Sequence, residues 1–445
     1  MSHQRLVKKT GKVVRFIDLF AGLGGTRIGF EQACQSLELK SQCVFTSEIK
    51  PYAREIYSYN FKNEKIAGDI TQINETAIPH FDYLLAGFPC QAFSSAGKKH
   101  GFLDTRGTLF FDIARIIKVK KPKGFLLENV EGLVTHDRQD RKNRIGNTLN
   151  VILSVLKELG YQVSWKVLDA KDFGVPQKRR RIYIVGHLDD NIDLSNFEKT
   201  FRPFRDIKEH GLKPLSSKFT KRLLELYRPE ELSGKAIKDK RGGENNIHSW
   251  DLELRGKINK DQKKILSELL KQRRRKDWAI KKGIQWMDGM PLTLDEIHSF
   301  STVLSKKRLS LLLDDLVQKS YLRFEYPKDL VFSEDGKKYR SFDESKPKGY
   351  NLVTGKLSFE LNKILDDDSI APTIVATEAD RIGVLDQSKI RRISERECLR
   401  LFGFPEWYSS NISHQLLYDL IGNTVVVPVV NEVAKRLLCP KPIGV

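Results

Sequence analysis

The chain has 445 residues, with 77 Lys and Arg against 57 Asp and Glu, a formal charge of +20. That length allows one large or two ordinary domains with a substantial core. A content of 40% hydrophobic and 30% charged residues is that of a soluble globular protein. No run of 18 apolar residues and no charged-then-apolar leader is present, so neither a membrane span nor a secretory signal is expected. The basic excess suits a polyanion, most simply nucleic acid, although charge alone does not choose between that and an ordinary basic surface.

In chain order, VVRFI (13–17) reads as a buried strand followed by a Gly-rich turn. Phe30, Ala33, Cys34 and Leu37 then fall on one helix face. CVFTS (43–47) is the next strand, and a helix is expected around Tyr52 to Tyr59. FDYLLAG (81–87) and GFLLEN (124–129) are short apolar strands, with helical patterns at Thr108 to Ile117 and Asn147 to Leu159. YQVSWKVL (161–168) and RIYIVGH (181–187) read as a closing pair. Such alternation predicts an α/β fold, a Rossmann-like, doubly wound and mostly parallel sheet covered on both faces. Ligands bind beyond the carboxyl ends of such strands. There the chain places Asp18 to Gly25, Glu48, Cys90, and Glu128 with Asn129.

The rhythm stops near residue 188. KQRRRKDWAIKKG (271–283) is strongly basic, and Arg273, Arg274, Arg275, Lys276 and Trp278 are candidates for DNA contact or for phosphate holding only. LTLDEIHSF and KKRLSLLLDDLVQKS read as helices, then YLRFEY and KLSFEL as strands, the order of a winged helix-turn-helix. The expected division is 1–187 for a catalytic core, 188–370 for a smaller, mixed recognition domain, and 371–445 for a segment returning to the core.

Five cysteines (Cys34, Cys43, Cys90, Cys398, Cys439) form no CxxC pair, so no metal site and no disulfide framework are expected. This points to a reducing, cytoplasmic setting with a thiol free for chemistry. DLFAGLGG (18–25) has Gly22, Gly24 and Gly25 before a helix, which lets a ligand approach closely, but it misses the dinucleotide G-x-G-x-x-G spacing. Glu48 ends the next strand, where an acid can accept hydrogen bonds from ribose hydroxyls. Asp69 in GDI is either a third acid at that edge or a helix N-cap. Cys90 follows Pro89 in a loop with Gln91, Ser94, Ser95, Lys98 and Lys99. A lone cysteine is usually a core residue; positive charge and a helix N-terminus would instead ionise it. Glu128 is a surface charge or a general acid in a closed site. Arg179 and Arg181 share one register, on a solvated basic edge or at a phosphate or base.

Together these segments closely resemble the DNA (cytosine-5)-methyltransferases of bacterial restriction-modification type. The resemblance rests on DLFAGLGG, Glu48, Gly68-Asp69-Ile70, GFPCQAFSSAG (87–97), DTRGTLFF (104–111), ENVEG (128–132) and QKRRRIYIVG (177–186). RRISERECLRLFGFPE (391–406) and IGNTVVVPVV (421–430) continue it. It covers about 13–187 and 371–435, leaving 188–370 as the variable target-recognition region. It implies S-adenosyl-L-methionine as cofactor, with Phe20 on the adenine, Glu48 on the ribose and Asp69 at the adenine amino group. Gly22, Gly24, Ile49, Ile70, Pro89, Leu109, Asn423 and Val425 are further cofactor contacts. It implies a cytosine flipped from duplex DNA, with Cys90 attacking carbon 6, Glu128 at N3, and Arg181 at O2 supported by Arg179 and Gln177. Asn129 would hold the pocket backbone. Gln91, Ser94, Lys98, Lys99 and Arg106 would meet DNA from a closing loop. The enzyme is expected to act as a monomer, with a separate cognate restriction endonuclease. Two departures are Ile49, where many relatives carry an aromatic ring, and Thr424 in place of Ala or Ser.

An RNA cytosine-5 methyltransferase on the same core would share every catalytic residue, but the basic region of roughly 180 residues exceeds what such a core needs. A catalytically silent DNA-binding regulator is disfavoured by the intact Cys90, Glu128 and Arg181. A nicotinamide oxidoreductase is disfavoured by the glycine spacing.

Overall fold

The computed structural model describes residues 13–62, 65–89, 109–138, 140, 142–239, 245–285, 289–301, 305–333, 338–353 and 359–440. The chain divides into two compact units, Met1–His210 with Asp366–Asp380 and Ile393–Val445, and Gly211–Leu365 with Arg381–Arg392.

The first unit is built on a seven-stranded sheet. Its strands are β1 (Val14–Leu19), β2 (Ser41–Ser47), β3 (Ile66–Ala67), β4 (Tyr83–Gly87), β5 (Gly124–Val130), β6 (Gln162–Asp169) and β7 (Arg180–His187). Their spatial order is β3-β2-β1-β4-β5-β7-β6. β1 to β5 pair in parallel, and β7 is antiparallel to both β5 and β6. The strand order reverses between β1 and β4, and a crevice opens at that switch point. Because β7 runs backwards, its first residues arrive at the edge where the other strands end. Residues Arg179 to Arg181 therefore join Glu48 and Glu128 at one rim.

Helices α1 (Gly25–Ser36), α2 (Pro51–Asn60), α3 (Leu109–Lys120) and α4 (Asn147–Glu158) follow strands β1, β2, β4 and β5. Phe110, Ile113 and Ile117 of α3 and Leu149, Ile152 and Leu156 of α4 pack on Ile17, Leu84, Phe125, Leu127 and Ile184 of the sheet. Burying each such side chain contributes about 1.5–3 kcal/mol. The other face is covered partly by the chain's last helix, Val427–Leu438. It lies so close to α1 that a Cβ on Gly29 would sit 2.7 Å from the Val430 side chain and 2.8 Å from the Val427 carbonyl. The returning segment thus completes the core rather than decorating it.

The second unit has two hydrophobic clusters. The first lies among helices Lys260–Gln272, Lys276–Lys281, Leu294–His298 and Lys306–Gln318. Strand Leu322–Glu325 pairs antiparallel with Gly349–Leu352, and Tyr350 also bridges Leu292. The strand expected at KLSFEL is not there among its described residues: Phe359 and Leu361 instead bury their side chains in the second cluster. Gly349–Leu352 takes the pairing because it sets Tyr350 opposite Phe324, ring centroids 5.0 Å apart.

Candidate active site

The loop after β1 starts with Phe20, a non-glycine residue at φ 56°. That left-handed conformation costs on the order of 1–2 kcal/mol and turns the chain sharply toward α1. Gly24, the N-cap of α1, has φ 77°. A Cβ there would meet the Phe61 ring at 2.5 Å. Beneath the loop, Asp18 is fully buried and accepts from Thr26 Oγ1 at 2.6 Å and Tyr57 OH at 3.4 Å. Burial pushes its carboxyl up to about 7, against the opposing pull of Thr26, Arg27 and Tyr57.

A cleft of about 450 Å³ opens at the switch point, a size suited to a nucleoside-bearing ligand. Phe20, Gly22, Glu48, Ile49, Asp69 and Ile70 line one end, and Asn423 and Val425 lie on the same wall system. Glu48 is 8% exposed; its Oε2 accepts from Gly22 N at 2.9 Å and its Oε1 from Lys50 N at 2.8 Å. Each oxygen keeps a lone pair for a ligand hydroxyl. Asp69 Oδ1 accepts from Thr71 N at 2.9 Å, so it caps a 3-10 turn and lines the cleft at once. Gly24 is not on the cleft wall; its role is the turn, and Gly22 and Gly25 are the glycines that face the cavity.

Pro89, Leu109, Glu128, Arg179 and Arg181 line the cleft's other end. Glu128 stands opposite Tyr183, and Arg181 opposite Val130, so Glu128 and Arg181 are diagonal neighbours on one face. Arg181 Nε lies 3.3 Å from Glu128 Oε1. Burial still raises the Glu128 carboxyl above its ordinary range, because desolvation outweighs the attraction of Arg181 and Arg179. Asn129 Nδ2 donates to Phe88 O at 2.8 Å, tying β5 to the chain just before Cys90. Cys90, Gln91, Ser94, Lys98, Lys99 and Arg106 lie outside the described residues.

Arg179 is almost wholly buried and spends its guanidinium on three carbonyls: Ile374 O at 3.2 Å, Gly422 O at 3.1 Å and Thr424 O at 2.8 Å. It stacks over Phe402 at 5.0 Å, and burial lowers its pKa to about 10. Gln177, expected at DNA, is fully buried. Its Nε2 donates to Leu401 O at 2.9 Å and its Oε1 accepts from Ile374 N at 3.3 Å, so both polar ends serve the returning segment. Arg273, also expected at DNA, turns inward over Gly289, with Nη1 3.5 Å from Leu352 O. Arg275 pairs with Asp277 at 2.9 Å, Arg274 is exposed, and Trp278 is 7% exposed in the core.

Sequence reasoning missed three braces. Arg115 of α3 donates to Ile70 O at 2.7 Å and Ile73 O at 2.9 Å, fixing the Asp69 turn. Lys50 Nζ and Tyr52 OH both reach Asp419 Oδ2, at 2.8 and 2.7 Å. Only Arg115, a charge between the apolar residues of its helix and three positions after Asp112, left a local signal.

With this geometry in view, residues 14–439 match the family model for C-5 cytosine-specific DNA methylase. The chain belongs to that family. This methylase is 56% identical over 426 residues to the Type II methyltransferase M.NlaIV of Neisseria lactamica, covering 96% of this chain and 99% of that one. It is 54% identical to M.NgoBV of Neisseria gonorrhoeae over the same shares. With M.BanI of Aneurinibacillus aneurinilyticus it shares 40% over 448 residues, 95% of each chain. A crystal structure of a prophage-encoded DNA modification methyltransferase from E. coli matches its fold with a TM-score of 0.50 at 19% identity, covering 96% and 98% of the two chains. The methylase transfers a methyl group to carbon 5 of cytosine in DNA, and its sheet is that of an α/β methyltransferase.

Proposed function

We propose that the methyl donor is S-adenosyl-L-methionine, held in the cleft between β1 and β4, and that the substrate is a cytosine flipped from a specific duplex sequence. The donor fits the residues present: Glu48 keeps lone pairs for ribose hydroxyls, and Phe20 and Ile49 offer apolar surface to the adenine. Asp69 and Ile70 take the adenine edge, Pro89 and Leu109 the apolar walls, and Asn423 with Val425 close the site. The donor supplies an electrophilic methyl on a sulfonium.

The observation that carries this reading is Glu128 with its raised pKa, paired with Arg181 in the same cleft as Glu48. Carbon 5 of cytosine is a poor nucleophile. Attack of the Cys90 thiolate on carbon 6 forms an S–C bond, breaks the ring's aromaticity and makes carbon 5 enamine-like. Glu128, whose carboxyl burial raises above its ordinary range, donates to N3 and offsets the developing charge. Arg181 holds O2. Carbon 5 takes the methyl, its proton leaves to solvent, and elimination of Cys90 restores the ring. Arg179 is a positioning residue: its carbonyl clamp sets the backbone on either side of Asn423. Gln91, Ser94, Lys98, Lys99 and Arg106 meet the DNA backbone, where basic residues position rather than specify.

The second unit serves as the target-recognition domain; it runs over Gly211–Leu365 with Arg381–Arg392 rather than the expected 188–370, whose residues 188–210 and 366–370 pack with the first unit. The relatives' Type II naming supports a restriction-modification role, and with it goes the reading of a monomeric methylase in the bacterial cytoplasm beside a separate endonuclease. The test is methyl transfer to a DNA library and to total RNA, with Cys90→Ala alongside. We expect label in DNA, lost in C90A at unchanged cofactor affinity. Label in RNA alone, or full activity in C90A, refutes the reading.

A further inference from the structure

The second unit carries an element that its own core does not explain. Lys328–Phe332 and Lys338–Phe342 form a two-stranded antiparallel ribbon, with Lys328 opposite Phe342 and Phe332 opposite Lys338. Among the described residues, neither strand pairs with any third strand. Phe332 and Phe342, on one face, are 58% and 47% exposed, and Tyr339, on the other, is 50% exposed. A cluster of exposed aromatic surface of this kind marks an interaction site more often than an accident.

Side chains alternate along a strand, so Lys328, Leu330 and Phe332 share one face with Phe342, Arg340 and Lys338. Along the paired strands that face carries three cations and no acid. Cations and rings are interleaved on it: Lys328 Nζ lies 4.5 Å from the Phe342 centroid and Lys338 Nζ 5.4 Å from that of Phe332. The opposite face holds the anchor. Asp329 Oδ1 accepts from Gln285 N at 2.9 Å, and Asp343 N donates to Pro327 O at 2.9 Å to close the ribbon's base.

The topology gives this ribbon a context. Leu292 bridges Tyr350; then come helices Leu294–His298 and Lys306–Gln318, strand Leu322–Glu325, the ribbon, and strand Gly349–Leu352. That is the order of a winged helix-turn-helix, with the ribbon as its wing.

We propose that the ribbon is a contact to duplex DNA, laid along a groove with Lys328, Lys338 and Arg340 on the phosphates. A two-stranded ribbon is one of the elements a major groove admits. Charge complementarity selects a polyanion over a second copy of this chain, whose own charge is +20. The rings already hold the lysine stems in place, so less side-chain freedom is lost on binding. This inference rests on the DNA-methylase reading and adds the element of the second unit that binds. It also replaces Arg273, which the fold turns inward.

The test is the triple variant K328A/K338A/R340A. Its affinity for a substrate duplex and an unrelated duplex is measured by anisotropy across salt, with S-adenosyl-L-methionine affinity as the control for folding. We expect both duplexes to bind roughly 10- to 100-fold more weakly near 100 mM salt, and the salt slope to fall by about 2–3, at near 0.9 per phosphate contact. Unchanged slope and affinity, with cofactor binding intact, overturn the proposal; a loss confined to one sequence overturns the phosphate assignment. Should the triple variant lose cofactor binding, K338E and R340E singly must each weaken DNA binding at unchanged cofactor affinity, and wild-type DNA affinity in both refutes the ribbon. A wild-type chain that methylates no duplex DNA defeats the function reading instead, whereas an active wild type with unaffected variants defeats the ribbon alone.

Discussion

Asp18→Asn isolates the cost of burying a carboxylate under the cofactor loop. Asp18 has no solvent exposure, and burial raises its carboxyl from 3.8 to about 7. At about 1.36 kcal/mol per pH unit of that gap, the ionised group costs the folded state on the order of 4 kcal/mol at alkaline pH. The folded pKa is raised, so the associated stability is fully present below about pH 4 and is lost as pH rises through about 7. Asparagine is neutral throughout; it keeps an acceptor for Thr26 and turns a donor to Tyr57. Urea unfolding of both proteins from pH 5 to 7.5 should show the variant's stability relative to wild type growing by about 2.5 kcal/mol. Cofactor affinity should stay within a few-fold, because Asp18 supports the loop from below without facing the cleft. A difference between the two proteins that is independent of pH would refute the reasoning.

Glu128→Gln keeps the shape of the cleft but removes the acid, so kcat should fall by about 10²- to 10⁴-fold with cofactor binding retained; single-turnover kinetics with kcat within threefold of wild type would exclude proton donation by Glu128. Arg179→Met leaves three buried carbonyls without a donor and should cost about 3 kcal/mol or more in urea unfolding; because the clamp flanks Asn423, the KM for the donor should rise in Arg179→Lys, and an unchanged KM there would reduce Arg179 to a fold residue.

Much of the fold was legible because it follows local pattern. Short, largely apolar runs bounded by turn residues read as buried strands, and the helix face at Phe30, Ala33 and Cys34 is buried as its spacing requires. Glu48 and Glu128 could be placed at one edge because acids at the carboxyl ends of buried strands of a doubly wound sheet emerge there. Gln177 and Arg273 could not be placed. A glutamine beside four basic residues reads as surface; only the return of residues 371–445 encloses it and supplies Leu401 O and Ile374 N. Arg273 stands in a basic run, yet Gly289 and Leu352, distant in sequence, draw it inward.

The sequence by itself determined most strand and helix segments of the first unit, the placing of Glu48 and Glu128 at the ligand edge of the sheet, and the basic character that suits DNA. These depend on residue type and short spacing. Tertiary structure alone decided that β7 runs backwards and delivers Arg181 to Glu128, and that Arg179 is spent on carbonyls of the returning segment. It also decided that Lys328, Phe332, Lys338 and Phe342 share one face. Strand direction and pairing register are set by the burial of whole faces against partners far along the chain, and no local pattern encodes them.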